Sequence, residues 1–167
     1  MTNKTHKAEI AIFAAGCFWN PELYFSKLPG VIKTRVGYID GDPKIKKPTY
    51  EQVCSGEFRF AEAVEVTFNP KQISYKKLLE GFWKLHDPTQ MNRQGPDIGD
   101  QYRSAIFYTT DQQGKEAKTS MIAEQKKLES KRKGKIVTQI KPATQFFPAE
   151  EYHQKYLEKR GMKSCHI

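Results

Sequence analysis

Apolar and polar positions along the chain switch between two periods, and the switches mark out its elements. Ile10, Ile12 and Phe13, running into Ala14-Ala15-Gly16, predict a strand that stops at a glycine. Pro21 suits the first turn of a following helix, where its missing N–H costs little, and Leu23, Tyr24, Phe25 and Leu28 carry that helix to the Pro29-Gly30 break. Val31 to Ile39 reads as a second strand, Asp40 to Pro48 as an exposed loop, and Thr49 to Gly56 as holding a turn of helix. From Glu62 to Phe68, Val64, Val66 and Phe68 alternate with Ala63, Glu65 and Thr67, which predicts a strand with one buried face.

Ser74 is the expected N-cap of a helix whose stripe is Leu78, Leu79, Phe82, Trp83 and Leu85, ending near His86-Asp87-Pro88. Met91 to Gln101 has no period and reads as a long loop of the kind that carries function. Ser104 to Tyr108 is another strand, and Asp111 is the expected cap of a basic helix that turns Ala117, Met121 and Leu128 inward. Ile136 to Ile140 is the last strand expected, and a short helix should run from Ala149 to about Lys159. With no repeats, this order predicts one α+β domain over 1–167, helices packed on a mixed sheet, with a flexible tail from about residue 161.

Composition sharpens this picture. A mean hydropathy of -0.72 would suit a disordered chain, but 10 Phe, 8 Tyr and 2 Trp supply a core, and 167 residues can bury roughly 70% of the unfolded surface. No apolar run approaches the roughly 20 residues of a membrane helix, so no membrane association is expected. The net charge of +9 invites a basic module that binds nucleic acid or membrane without catalysis. However, Lys115 to Lys135 holds eight basic residues against three acidic ones, so one solvated helix carries more than half of the excess. No aromatic side chain is interleaved there to stack on a base, and no specific nucleic-acid binding is expected. The three cysteines, Cys17, Cys54 and Cys165, are an odd number without a Cys-x-x-Cys pair, which reads as thiols in a reducing, cytoplasmic setting.

Cys17 has the strongest local case for chemistry. It sits between a strand and a helix, where backbone N–H groups and the helix dipole favour an anion. Gly16 permits the tight turn, and Phe18-Trp19 put two aromatic faces beside the sulfur. A buried structural thiol would read the same way. Ala14-Ala15-Gly16-Cys17 also has the form of a lipoprotein processing site, but the apolar stretch before it is too short. Glu62 shares parity with Val64, Val66 and Phe68, so it projects from the apolar face, where desolvation raises a carboxyl pKa toward that of a neutral-pH proton donor. The opposite reading is that the strand has not yet entered the core at Glu62 and leaves it exposed.

Gly16-Cys17-Phe18-Trp19 resembles the GCFW signature of A-type peptide methionine sulfoxide reductases. Five further segments, 48–56, 61–66, 92–95, 99–104 and 148–156, resemble that family's other blocks in the same order and carry the likeness to Tyr156. The resemblance implies a ferredoxin-like, βαβ-containing sandwich. It also implies an enzyme that reduces methionine S-sulfoxide, free or in oxidised proteins, and is recycled by thioredoxin or a similar dithiol. Residue by residue, it implies that Cys17 attacks the sulfoxide sulfur, Glu62 protonates its oxygen, and Tyr50 and Tyr102 hold that oxygen. Phe18 and Trp19 form the wall for the methyl group, and Asp97 helps to organise the pocket. Phe60, Asn20, Pro96 and Phe147 depart from the family's common His, Gly, Asn and Tyr or Trp, and Phe60 and Phe147 make the mouth more apolar.

Attack would leave Cys17 as a sulfenic acid, and Cys165, in the tail, is the expected resolving thiol, with direct reduction by an external thiol as the rival. Cys54 is expected to be a packed structural thiol. His6, His86, His153 and His166 lack ligand spacing, so neither a metal nor a bound cofactor is expected. A Cys–His hydrolase pairing Cys17 with His86 or His153 is the competing enzyme class, without a local signature to support it. A monomer is expected.

Overall fold

The computed structural model describes residues 7–164. In chain order the elements are β1 (Glu9–Ala15), α1 (Trp19–Ser26), β2 (Val31–Ile39), α2 (Tyr50–Cys54), β3 (Ala61–Phe68), α3 (Tyr75–Leu85), β4 (Arg93–Gln94) and β5 (Asp97–Ile98). They continue with β6 (Ser104–Tyr108), α4 (Asp111–Ser130), β7 (Gln139–Pro142), β8 (Phe147–Pro148) and α5 (Tyr156–Lys159). Six strands form one mixed sheet in the order β7-β6-β1-β3-β2-β8. Its centre is two split βαβ units: β1-α1-β2 straddles β3, and β3-α3-β6 straddles β1, with every pairing among the four antiparallel. This is the ferredoxin-like arrangement, extended by β7 parallel to β6 at one edge and by β8 antiparallel to β2 at the other.

Strand alternation divides the core. Ala11, Phe13 and Ala15 of β1 and Val64, Val66 and Phe68 of β3 face the helices, where Phe25, Leu78, Leu79 and Phe82 close over them. Phe13 is its centre, with ring centroids 5.1 Å from Phe25 and 5.4 Å from Phe82. The strand β3 was expected to bury one face, but its other face is buried as well, together with that of its neighbours. Ile12, Ala14, Ala61, Ala63, Ala105 and Phe107 lie there, with Ala143 and Phe146 packed on them. Short alanine side chains let the segment before β8 lie close to the sheet, and Glu65 is buried there only because Arg35 pairs with it through two nitrogens.

Local signals behave as their chemistry dictates, with four corrections. Ser74 accepts from the Lys77 N–H, and Thr49 and Gln52 complete a reciprocal capping box on α2. The cap of α4 is Thr110, which accepts from the Gln113 N–H, while Asp111 lies in the first turn and complements the helix dipole. The last strand starts at Gln139 rather than Ile136, because the Val137 N–H is taken by the Pro88 carbonyl. The expected helix from Ala149 is broken into a 3-10 turn, Glu151–His153, and the short α5, separated by Lys155 at φ 51°. The loop from Met91 contains the β4-β5 hairpin, which turns at Gly95 (φ 58°), followed by a 3-10 turn at Asp100–Tyr102. No helix among the described residues is long and apolar enough to cross a membrane.

Candidate active site

The β1-α1 turn places Cys17. Gly16 takes φ 84°, and a Cβ there would meet the Gln94 side chain at 2.8 Å, so the turn needs glycine on both counts. Cys17 is half-buried, and Phe18, the N-cap of α1, aims its N–H at Glu62 Oε1, 3.4 Å away. Glu62 lies on the helix-facing side of β3, as its parity with Val64 requires, and is 2% exposed, which removes the reading of an exposed glutamate. Burial pushes its carboxyl up to about 8, against the opposing Phe18 N–H, and the charge of Asp97 adds to the rise. At neutral pH this acid is therefore mostly protonated beside a thiol.

Two phenols come from separate elements. Tyr50 opens α2, where its N–H donates to Glu150 Oε2 at 3.3 Å, and Tyr102 ends the 3-10 turn. Its hydrogen bond with Cys54, then burial, holds the Tyr50 hydroxyl above the usual phenol range. Burial and then the charge of Glu62 do the same for Tyr102, which also feels Cys54, Asp97 and Cys17. Both hydroxyls stay protonated and can donate. The Tyr102 turn is pinned by Arg103, which donates to the Asp100 carbonyl at 2.9 Å and to Asp40 Oδ2 at 3.0 Å. Lys141 completes the cluster on Asp40, 2.7 Å away.

Cys54 is not the packed thiol that was expected. It is exposed on the last turn of α2, because the residue four places after Tyr50 lies on the same helix face as that tyrosine. Partial desolvation by its neighbours raises its pKa, and the Tyr50 hydrogen bond opposes the rise.

Aromatic rings close the other side. Phe18 is buried against Tyr38, with centroids 5.9 Å apart, and against the edge of His153 at 5.2 Å. The Trp19 indole N–H donates to His153 Nδ1 at 3.3 Å, and its ring stacks on Tyr156 at 3.7 Å, 4° from parallel. Arg160 covers Tyr156 with its guanidinium carbon 3.6 Å from the ring centroid. His153 is 2% exposed, its Nε2 has no hydrogen-bond partner, and burial lowers its pKa, so it is neutral. Neither histidine is hydrogen-bonded to Cys17 as a hydrolytic pair requires, since both His86 nitrogens are engaged by the Phe82 carbonyl and Ser104.

The structure thus brings Cys17, Phe18, Trp19, Tyr50, Glu62, Asp97 and Tyr102 to one place. Cys165 lies outside the described residues. His153 was weighed as a hydrolytic partner of Cys17, and Tyr156, Glu150 and Tyr38 had no role in the sequence reading. Three of these four lie in the 148–156 segment, whose dense aromatic and acidic composition was the available signal. Among the described residues no group of three or more His, Cys, Asp or Glu could hold a metal ion. Chemically, the arrangement offers a thiol, a protonated carboxyl and two phenols to a polar acceptor, beside an apolar wall.

Comparison with known proteins gives a consistent result. The family pattern "Peptide methionine sulfoxide reductase" matches residues 9–167. The chain is 50% identical over 161 residues to the peptide methionine sulfoxide reductase MsrA of Methanothermobacter thermautotrophicus, covering 95% of this chain and 92% of that one. Its fold superposes on methionine sulfoxide reductase A of Corynebacterium diphtheriae with a TM-score of 0.89 at 35% identity, over 98% of this chain and 80% of the other. A structure of Mxr1 from Saccharomyces cerevisiae in complex with Trx2 matches with a TM-score of 0.63 at 26% identity, over 93% of this chain and 89% of that one.

Proposed function

The chain belongs to the peptide methionine sulfoxide reductase family, and from that premise we propose how its own residues reduce methionine S-sulfoxide. The observation that carries the assignment is Glu62: a buried carboxyl, protonated near neutral pH, on the backbone N–H next to Cys17. Tyr50 and Tyr102 donate hydrogen bonds to the sulfoxide oxygen, which polarises the S–O bond and makes the sulfur electrophilic. Cys17 Sγ attacks that sulfur, and Glu62 delivers a proton to the departing oxygen. The protonated oxygen then bonds to Cys17 Sγ as the transient S–S bond and the original S–O bond break, which releases the thioether and leaves Cys17 as a sulfenic acid, while the thiol proton reloads Glu62. Phe18 and Trp19 receive the methyl group, so the oxygen points at its donors in only one epimer. Asp97 raises the Glu62 pKa through its charge and so helps to keep the acid loaded.

The sulfenic acid then condenses with the Cys165 thiol, forming a disulfide and releasing water. A dithiol of the thioredoxin kind restores both thiols by exchange, with the complex of yeast Mxr1 and Trx2 as the support for this partner. A reducing cytoplasm would keep Cys17 and Cys54 as the thiols observed. The test is turnover of methionine S-sulfoxide with dithiothreitol, followed by thiol titration after one equivalent of substrate without reductant. Cys17→Ser should abolish turnover, and the intact enzyme should lose two thiols to a Cys17–Cys165 disulfide. Full turnover by the variant overturns the nucleophile, and a persisting Cys165 thiol overturns the resolver.

A further inference from the structure

We propose that Glu22 is a positioning residue that sets the aromatic wall beside Cys17: its carboxylate holds Lys155 in the left-handed conformation that lays Tyr156 flat on Trp19. The inference rests on the assignment of Trp19 to the wall for the substrate methyl group.

Glu22 lies on α1 one turn beyond Trp19 and is 2% exposed, with no cation among the described residues within salt-bridge distance of it. A carboxyl in that setting is unfavourable unless its oxygens are satisfied. One oxygen accepts from the Lys155 backbone N–H at 2.5 Å, and the other from the Thr34 hydroxyl at 3.2 Å. Lys155 is exposed and sits at φ 51°, ψ 37°, a region that L-residues other than glycine, asparagine and aspartate avoid. Its neighbours explain why the chain must turn there. The Gln154 side chain is clamped to the N–H and C=O of Val36 at 2.9 Å each, which fixes the segment on β2. Two residues later Tyr156 must lie over Trp19, and Leu157 must enter the core. The left-handed residue between them joins these two anchors, and its N–H is held by Glu22. His153, which accepts the Trp19 indole N–H, rides on the same strap.

Cys17, Glu62 and Tyr102 belong to the β1-α1 turn, β3 and the 3-10 turn, and Tyr50 is held by the α2 capping box and by Glu150, upstream of the Gln154 clamp, so loosening the strap at Lys155 leaves the reacting groups in place. The loss falls on how well the methyl group is held. It should appear in KM rather than in kcat.

The experiment uses the full chain in a Trp83→Phe background, so that Trp19 is the sole fluorescent indole. Glu22→Leu should raise KM for methionine S-sulfoxide about five- to tenfold in excess dithiothreitol, change kcat less than twofold, and shift Trp19 emission to the red. Adding Lys155→Gly, which adopts φ 51° without help, should restore KM and emission. Lys155→Ile, which opposes that conformation at an exposed position, should reproduce the KM effect with Glu22 intact. This arm remains decisive if Glu22→Leu does not fold. A fall in kcat at constant KM, no change in either constant, or failure of Lys155→Gly to rescue would overturn the inference. A shifted emission with unchanged KM would overturn it by removing Trp19 from the wall, whereas loss of turnover in Cys17→Ser tests the underlying reaction separately.

Discussion

Replacing Glu62 by glutamine should make the protein inactive and, at alkaline pH, more stable. Burial takes this carboxyl from 4.5 to about 8, which at 1.36 kcal/mol per tenfold change in proton affinity corresponds to about 5 kcal/mol of differential stability. Between these two values the folded chain holds a proton that the unfolded chain has released. Stability from this group is therefore complete below pH 4.5 and lost as pH rises through about 8. Glutamine is neutral at every pH and has a similar shape, so Glu62→Gln removes that slope. Urea denaturation with reductant present, at intervals from pH 5 to 9, should show the two proteins diverging as pH rises, with the variant ahead by several kcal/mol at pH 9. Turnover should fall by about 10²- to 10⁴-fold, the usual worth of a positioned acid, because an amide donates a hydrogen bond but cannot deliver a proton. Parallel stability curves would show that Glu62 does not carry the proton into the fold, and retained turnover would show that it is not the acid.

Other perturbations follow from the same geometry. Asp40→Ala strands the largely buried Arg103 without its counter-charge, so denaturant midpoints should report a loss of about 3 kcal/mol, with lower kcat/KM as the Tyr102 turn loosens. Burial lowers the His86 pKa from 6.5 to about 4, so the unfolded chain takes up a proton first and stability falls as pH drops through this range. In His86→Gln, denaturant midpoints at pH 4.5 and 7 should differ less than in the parent. Cys54→Ser should keep turnover within twofold and still lose two thiols per single turnover, since serine can retain the hydrogen bond to Tyr50 and Cys54 is not part of the proposed Cys17–Cys165 pair.

The chemistry was more legible than the scaffold that frames it. Parity put Glu62 on the same face of β3 as Val64, Val66 and Phe68, but whether the strand had already entered the core there was decided only by its burial in the fold. The turn at Gly16-Cys17 was readable, since a glycine between a strand and a helix admits few geometries. The stretch beyond Phe147 was not. Its helix is broken by a lysine in a conformation that helix propensities disfavour, and the carboxylate that holds it there lies more than a hundred residues upstream. Cys54 was misplaced for a related reason: a five-residue helix shows too little period to tell its buried Val53 face from the face shared by Tyr50 and Cys54. Thr110 was passed over as a cap because Asp111 is an equally good cap by composition, and only the hydrogen bond to Gln113 separates them.

The ferredoxin-like unit is complete once β6 ends at Tyr108, yet Trp19 meets its stacking partner only at Tyr156. During synthesis, which runs from the N-terminus, Cys17, Glu62 and Tyr102 can be brought together while the segment that stacks on Trp19 has still to emerge. A chain paused or cut after α4 would thus carry Cys17 and Glu62 with Trp19 lacking the ring that fixes it. The segment around Tyr156 therefore decides when Trp19 becomes fixed.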